Sequence, residues 1–155
     1  SNDINISSGK LILSSIKKQI LLYPKGGKNI VDVRDVAQTI LKSIYKGKTG
    51  NNYLLSNENL TYKEIFNYVG EYANVSAPQH QMPNFMRIII GYIGTCFEFI
   101  THKSISINNK TMKLSSENHY YKADKAKREL GFNPRPVKET IKDTVNWFTN
   151  EYKSN

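Results

Sequence analysis

The run from Tyr23 to Lys46, YPKGGKNIVDVRDVAQTILKSIYK, constrains the fold more than any other part of the chain. Pro24 fixes its own φ and the paired glycines 26 and 27 permit positive φ, so Tyr23 to Asn29 reads as a turn. Ile30, Val31 and Val33 then read as a short buried strand. Val36, Ala37, Ile40, Leu41 and Ile44 recur at helical spacing through Lys46. Asp32, Arg34 and Asp35 fall at the junction. In a strand Asp32 and Arg34 point to one face, while Asp35 is placed to cap the helix. The three therefore do not converge as a metal or proton-sharing site, and they read as a structural corner in which a carboxylate pairs with an arginine.

The same pattern reading gives the other elements. Ile12, Ile16 and Ile20 predict a helix over about Ser8 to Gln19, with Ser7 or Ser8 as N-cap. NNYLLS, Asn51 to Ser56, reads as a short strand. Thr61-Tyr-Lys-Glu64 is a capping box, and Tyr62, Ile65, Phe66, Val69, Tyr72 and Ala73 form the stripe of the helix it opens. Asn84 to Thr101 is apolar nearly all round, interrupted only by Arg87 and Glu98, so it is expected to be the most buried helix, with Phe85, Met86, Phe97 and Phe99 packing in a core. A short helix near Thr111 to Ser116 and a strand end at HYYK follow. Asp124 is placed to cap a helix ending at Leu130, with Gly131 as its left-handed stop. After the stiff Pro134 and Pro136, Val137, Ile141, Thr144, Val145, Phe148 and Tyr152 mark a last helix with Trp147 beside the stripe. The sum is a mainly helical α/β chain of five or six helices and two to four short strands.

Composition narrows the function classes. A length of 155 residues with 39% hydrophobic and 11% aromatic residues suits one folded domain rather than a disordered chain. One cysteine, Cys96, excludes an internal disulfide framework and is compatible with a reducing, cytoplasmic setting. His80, His102 and His119 lie too far apart in sequence for a zinc motif, so no metal is expected. The longest mainly apolar stretch, Met86 to Ile100, is shorter than the roughly 20 residues a bilayer span requires, and it lacks the charged face of an interfacial helix. No stable membrane insertion is expected. The formal charge of +9 invites nucleic acid or an acidic partner, which is the alternative reading: a stand-alone basic binding module. Against it, only four of the 22 basic residues are arginine, the better fork for phosphates and base edges. No nucleic-acid partner is therefore assigned.

Two local matches to catalytic or binding motifs fail on context. Tyr121-Lys-Ala-Asp-Lys125 has the Tyr-x-x-x-Lys spacing of a phenol beside an ammonium. That chemistry needs both residues one turn apart on a helix, and the helix here starts only at Asp124. Gly91-Tyr-Ile-Gly94 has the Gly-x-x-Gly of RNA-clamping loops but lies in an apolar run, where close helix packing explains it. No glycine-rich phosphate loop is present. The residues alone supply no complete catalytic set.

Three stretches in order carry a family resemblance. YPKGGKNIVDVRDVAQTILKSIYKGKTGNNYLLSNENLTYKEIF resembles a run of the extended short-chain dehydrogenase/reductase family, the NAD(P)-dependent epimerase/dehydratase group, and most of all its dihydroflavonol reductase-like branch. KADKAKRELGFNPRPVKETIKDTVNWF resembles the closing segment of that family, although here lysine follows Asp124 directly. DINISSGKLI resembles the segment after the cofactor-contacting loop. The resemblance implies the C-terminal, substrate-binding half of an extended Rossmann-type enzyme, residues 1–155 forming one domain of a longer chain. The start at Ser1 rather than methionine agrees with that reading.

The family's nucleotide-binding glycines and its Ser/Thr-Tyr-Lys catalytic set would then lie in an N-terminal Rossmann half outside this chain. The intact enzyme would move hydride between NADP or NAD and a carbonyl or carbinol carbon of a small molecule or nucleotide sugar. This portion alone is expected to be inactive and to bind no cofactor. Position relative to the family implies substrate contacts at Ser8, Ile12, Tyr23, Met86 and Tyr92. NNYLLS would join the edge of the parent sheet, which its removal would expose.

Overall fold

The computed structural model describes residues 8–101 and 108–153; the expected cap at Ser7 lies outside them. Among the described residues there are seven helices and five short strands in a mainly helical α/β arrangement. In chain order they are α1 (Ser8–Ile16), β1 (Leu22–Tyr23), β2 (Gly27–Ile30), α2 (Val33–Lys46), β3 (Glu58–Thr61), α3 (Tyr62–Ala73), β4 (His80–Gln81), α4 (Asn84–Thr101), α5 (Asn109–Leu114), β5 (Asn118–His119), α6 (Asp124–Leu130) and α7 (Val137–Lys153). β2 is the centre of a three-stranded sheet, antiparallel to β3 and parallel to β5, while β1 and β4 form a separate parallel pair.

The core is built where α3 crosses α7 and α1. Ile65, Phe66 and Val69 meet Val137, Ile141 and Val145, with Ile12 closing the third side. Full burial of each such side chain contributes about 1.5–3 kcal/mol, so this cluster is the main source of stability. α3 starts where the sequence says it should. Thr61 Oγ1 accepts from the Glu64 amide at 3.2 Å, and the Glu64 carboxylate accepts from the Thr61 amide at 2.8 Å. A second cluster of Ala123, Ala126 and Phe132 seats Val31, Tyr53 and Leu55. Gly131 ends α6 in the left-handed region at φ 64°, as read from the sequence.

Several boundaries differ from the sequence reading. α1 stops at Ile16 because Lys18 turns to φ 56° while its amide reaches back to the Ser15 carbonyl. The strand assigned to Ile30–Val33 begins earlier, within the diglycine turn, and Val33 already opens α2. Asn51 to Ser56 forms no strand; β2 pairs instead with Glu58–Thr61, a register locked by the Asn29 amide donating to Asn59 Oδ1 at 2.7 Å. Asp124 is the first residue of α6 and makes no cap; Ala123 holds that position.

The largest correction concerns α4. It buries only Gly91 and Gly94, and Phe85, Tyr92, Phe97 and Phe99 are exposed. Its main contact is α5, where a Cβ at Gly91 would lie 3.0 Å from the Asn109 Cα. The Gly-x-x-Gly is thus a helix-packing device, and α4 with α5 forms an arm beside the core rather than part of it.

Candidate functional site

The corner at the start of α2 is densely hydrogen-bonded. Asp32, not Asp35, is the N-cap of α2. Its Oδ1 accepts from the Arg34 amide at 2.8 Å and from Arg34 Nε at 2.9 Å. Its Oδ2 accepts from Arg34 Nη2 at 2.7 Å and from Thr140 Oγ1 of α7 at 3.0 Å. Arg34 Nη2 reaches on to Asp143 Oδ2 at 2.6 Å. Asp35, one turn in, points to the interior and is bonded by Arg135: the backbone amide at 2.9 Å and Nη2 at 3.0 Å.

Two carboxylates are therefore buried side by side, each met by a guanidinium. Hydrogen bonds from Arg34 hold the Asp32 carboxyl far below the usual carboxylate range, and the pairing raises Arg34 in turn. Burial alone would push Asp35 up, but the bonds from Arg135 outweigh it and the net direction is down. Both acids stay ionised at neutral pH and have their lone pairs occupied. Such a corner joins β2, α2 and α7 rigidly, and it has no proton to exchange near neutrality.

Arg135, Thr140 and Asp143 complete the corner, and the sequence reading missed all three. Only Arg135 left a signal: it is one of four arginines and stands between Pro134 and Pro136, which hold its backbone extended.

Above the corner opens a groove of about 730 Å³ between α1, the β2–α2 junction and α7. Gly9 and Ile12 form one wall, Val31 to Arg34 the floor, and Thr140, Thr144 and Trp147 the other wall. It is open to solvent and mainly apolar, with Thr140 and Thr144 on one wall and charge confined to the Asp32–Arg34–Asp143 side. Of the five residues expected to touch substrate, Ile12 lines this groove, and Ser8 opens α1 next to Gly9. Tyr23 lies in β1 and packs against the core, Met86 is half-buried on α4, and Tyr92 is exposed there. The last three do not line the groove.

Tyr121 and Lys125 do not share a helical face. Tyr121 precedes α6, and Lys125 Nζ bonds Asn51 Oδ1 at 2.6 Å while lying over the Tyr53 ring. Among the described residues no cluster of histidine, cysteine or acidic side chains is arranged to hold a metal ion. Among the described residues no helix is long and apolar enough to cross a membrane.

No family model matches the chain. A protein named as a dihydroflavonol 4-reductase from Synechocystis is 30% identical over 147 residues, covering 92% of this chain and 43% of the relative. Over nearly its whole length the chain is similar to this reductase relative. The crystal structure of gox2253 matches 97% of the chain and 46% of its own length, with 27% identity and a TM-score of 0.74. A nucleoside-diphosphate-sugar epimerase from Pseudomonas aeruginosa shares the fold over 96% of the chain and 44% of its own, at 20% identity and a TM-score of 0.68. So does a Bordetella bronchiseptica enzyme solved with NAD and UDP, at 13% identity and a TM-score of 0.61, over 97% of this chain and 42% of that one. The chain thus spans less than half the length of the reductase relative it matches.

Proposed function

We propose that residues 1–155 are the C-terminal, substrate-side part of a cytoplasmic NAD(P)-dependent reductase of the extended short-chain family. The enzyme would reduce a small carbonyl compound, or act on a nucleotide sugar. The observation that carries this reading is the match of nearly the whole chain to under half of a reductase. The geometry fits a supporting role: the carboxylates of the α2 corner are saturated by hydrogen bonds, and the groove beside them is mainly apolar.

In this reading the rest of the protein supplies the dinucleotide site and the proton donor, and the cofactor carries the hydride. This part shapes the pocket. Ile12 and the start of α1 at Ser8 line its inner side, while Tyr23 on β1 and Met86 and Tyr92 on α4, outside this groove, would contact substrate only in the pocket completed by the rest of the protein. Alone, the part binds no NAD(P)H and turns nothing over.

The test is to read the coding sequence upstream of Ser1, then express the longest chain it encodes and assay NADPH-dependent carbonyl reduction. A glycine-rich turn after a first strand, a Tyr-x-x-x-Lys on a later helix and turnover support the reading. A start codon just before Ser1, or a longer chain that neither binds nor oxidises NADPH, overturns it.

A further inference from the structure

The two sides of α4 are used differently. Its inner side is committed to α5. Gly91 and Gly94 are buried there, the Asn109 amide donates to Thr95 Oγ1 at 3.1 Å, and Asn108 Nδ2 donates to the Glu98 carboxylate at 3.1 Å. On the outer side Phe85, Ile89, Tyr92, Cys96 and Phe99 recur at alternating steps of four and three residues, the spacing of a seam between two packed helices. All five are exposed, Phe99 by 81%. Ile88, Ile93 and Ile100 widen the seam along a helix of 18 residues, about 27 Å. The charged residues of α4, Arg87 and Glu98, lie half-buried on the opposite side.

We infer that this seam pairs with the same seam of a second copy, α4 against α4 about a twofold axis, so that the arm is a dimerisation element. The area supports that occupant. The exposed aromatic and isoleucine side chains of the seam and its flanks together present on the order of 700 Å² of apolar surface. A stable complex buries roughly 600–1,000 Å² per partner. The alternating spacing asks for a helix of matching spacing, and a twofold pair supplies one. The seam also carries no charged side chain, so the formal +9 of each copy stays off the contact, where salt screens it. A lipid surface is a poorer occupant. An interfacial helix keeps a Lys/Arg-rich face opposite its apolar one, whereas the face opposite the seam is taken by α5. The pairing does not depend on the hydride chemistry proposed above. Tyr92 lies in the seam, so the second copy and the completed substrate pocket would meet at its ring.

Cys96 lies in the seam and reports on it directly. The longest natural chain carrying these residues, with any other thiol replaced by serine, is treated with a bismaleimide long enough to bridge helices packed about 8–10 Å apart, and its mass is read by sedimentation equilibrium. A dimer at micromolar concentration and a Cys96–Cys96 cross-link are expected. In a Cys96→Ser background, Lys63→Cys at an exposed position of α3 is expected to cross-link about tenfold less or weaker still. Ile89→Lys, a change at a side chain already exposed in the single chain, should return the protein to monomer. The wild-type cross-link stands whether or not that variant folds. A protein that forms no Cys96 cross-link, cross-links equally at position 63, or stays dimeric with folded Ile89→Lys overturns the proposal. A monomer whose Cys96 resists a monofunctional maleimide assigns the seam to the rest of that chain and overturns it as well. So does protection of Cys96 that appears only on adding phosphatidylglycerol vesicles, which assigns the seam to a lipid surface.

Discussion

Arg135 closes on Asp35 across 100 residues of sequence, its backbone amide and guanidinium both donating to the one carboxylate. The contact ties the inner side of α2 to the Pro134–Pro136 connection that leads into α7. Asp35→Asn keeps the shape but loses the charge-assisted bonds. It is expected to lower stability by about 1–3 kcal/mol, read as a shift of the urea midpoint at unchanged slope. An unchanged midpoint contradicts the role given to the pair.

Acid should unfold the protein through the same corner. Asp32, Asp35 and Glu64 all have folded pKa values below their ordinary ones, through Arg34, Arg135 and Thr61 respectively. A carboxylate depressed in the folded state contributes stability above its unfolded pKa of about 4, and that contribution fades as pH falls toward the folded value. Thermal unfolding is therefore expected to move little from these groups between about pH 5 and 7 and to fall steeply below about pH 4. Asp32→Asn should flatten the fall. A wild-type midpoint constant down to about pH 3 contradicts the assignment.

Thr61→Ala removes one half of the capping box at the start of α3. A loss of about 1 kcal/mol is expected, with far-UV circular dichroism of the folded state unchanged. The core cluster is more sensitive: Ile65→Val should cost about 0.5–1.5 kcal/mol and Phe66→Ala about 3–5 kcal/mol. Equal effects at Phe66 and at exposed Phe99 would contradict the placement of the core on α3 rather than α4.

Gly91→Val tests the arm. The added side chain would meet the Asn109 backbone, where even a Cβ lies at 3.0 Å, so α4 and α5 must separate. Hydrogen exchange is expected to quicken in residues 84–101 and 109–114 while α3 and α7 keep their protection. A loss of protection throughout would show that the arm is part of the core.

How much of this was legible in the sequence depends on whether the cause was local. The capping box at Thr61 and Glu64, the Gly131 stop and the stripes of α3 and α7 are local, and they stand where the pattern put them. The partner of Asp35 was not legible because it lies 100 residues away. The strand expected at Asn51–Ser56 was misplaced because its apolar residues look like a buried strand, while the pairing made by β2 goes to the polar Glu58–Thr61, where Asn29 meets Asn59. Periodicity showed that α2 and α4 each carry apolar residues. It could not show that these face outward, because a pattern of side chains does not say which molecule covers them. Ile12 was expected to touch substrate only through its place in a resemblance, and residues of the groove's other wall such as Thr144 and Trp147 were read only as part of, or beside, a helix stripe.

The central claim is that this chain is the substrate-side part of a reductase whose cofactor site lies elsewhere. NADPH fluorescence titration tests it most directly, with the 155-residue chain and the longest natural chain measured side by side. The account predicts no saturable binding by the short chain up to about 1 mM and micromolar binding by the long one. Micromolar binding by the short chain alone would contradict it.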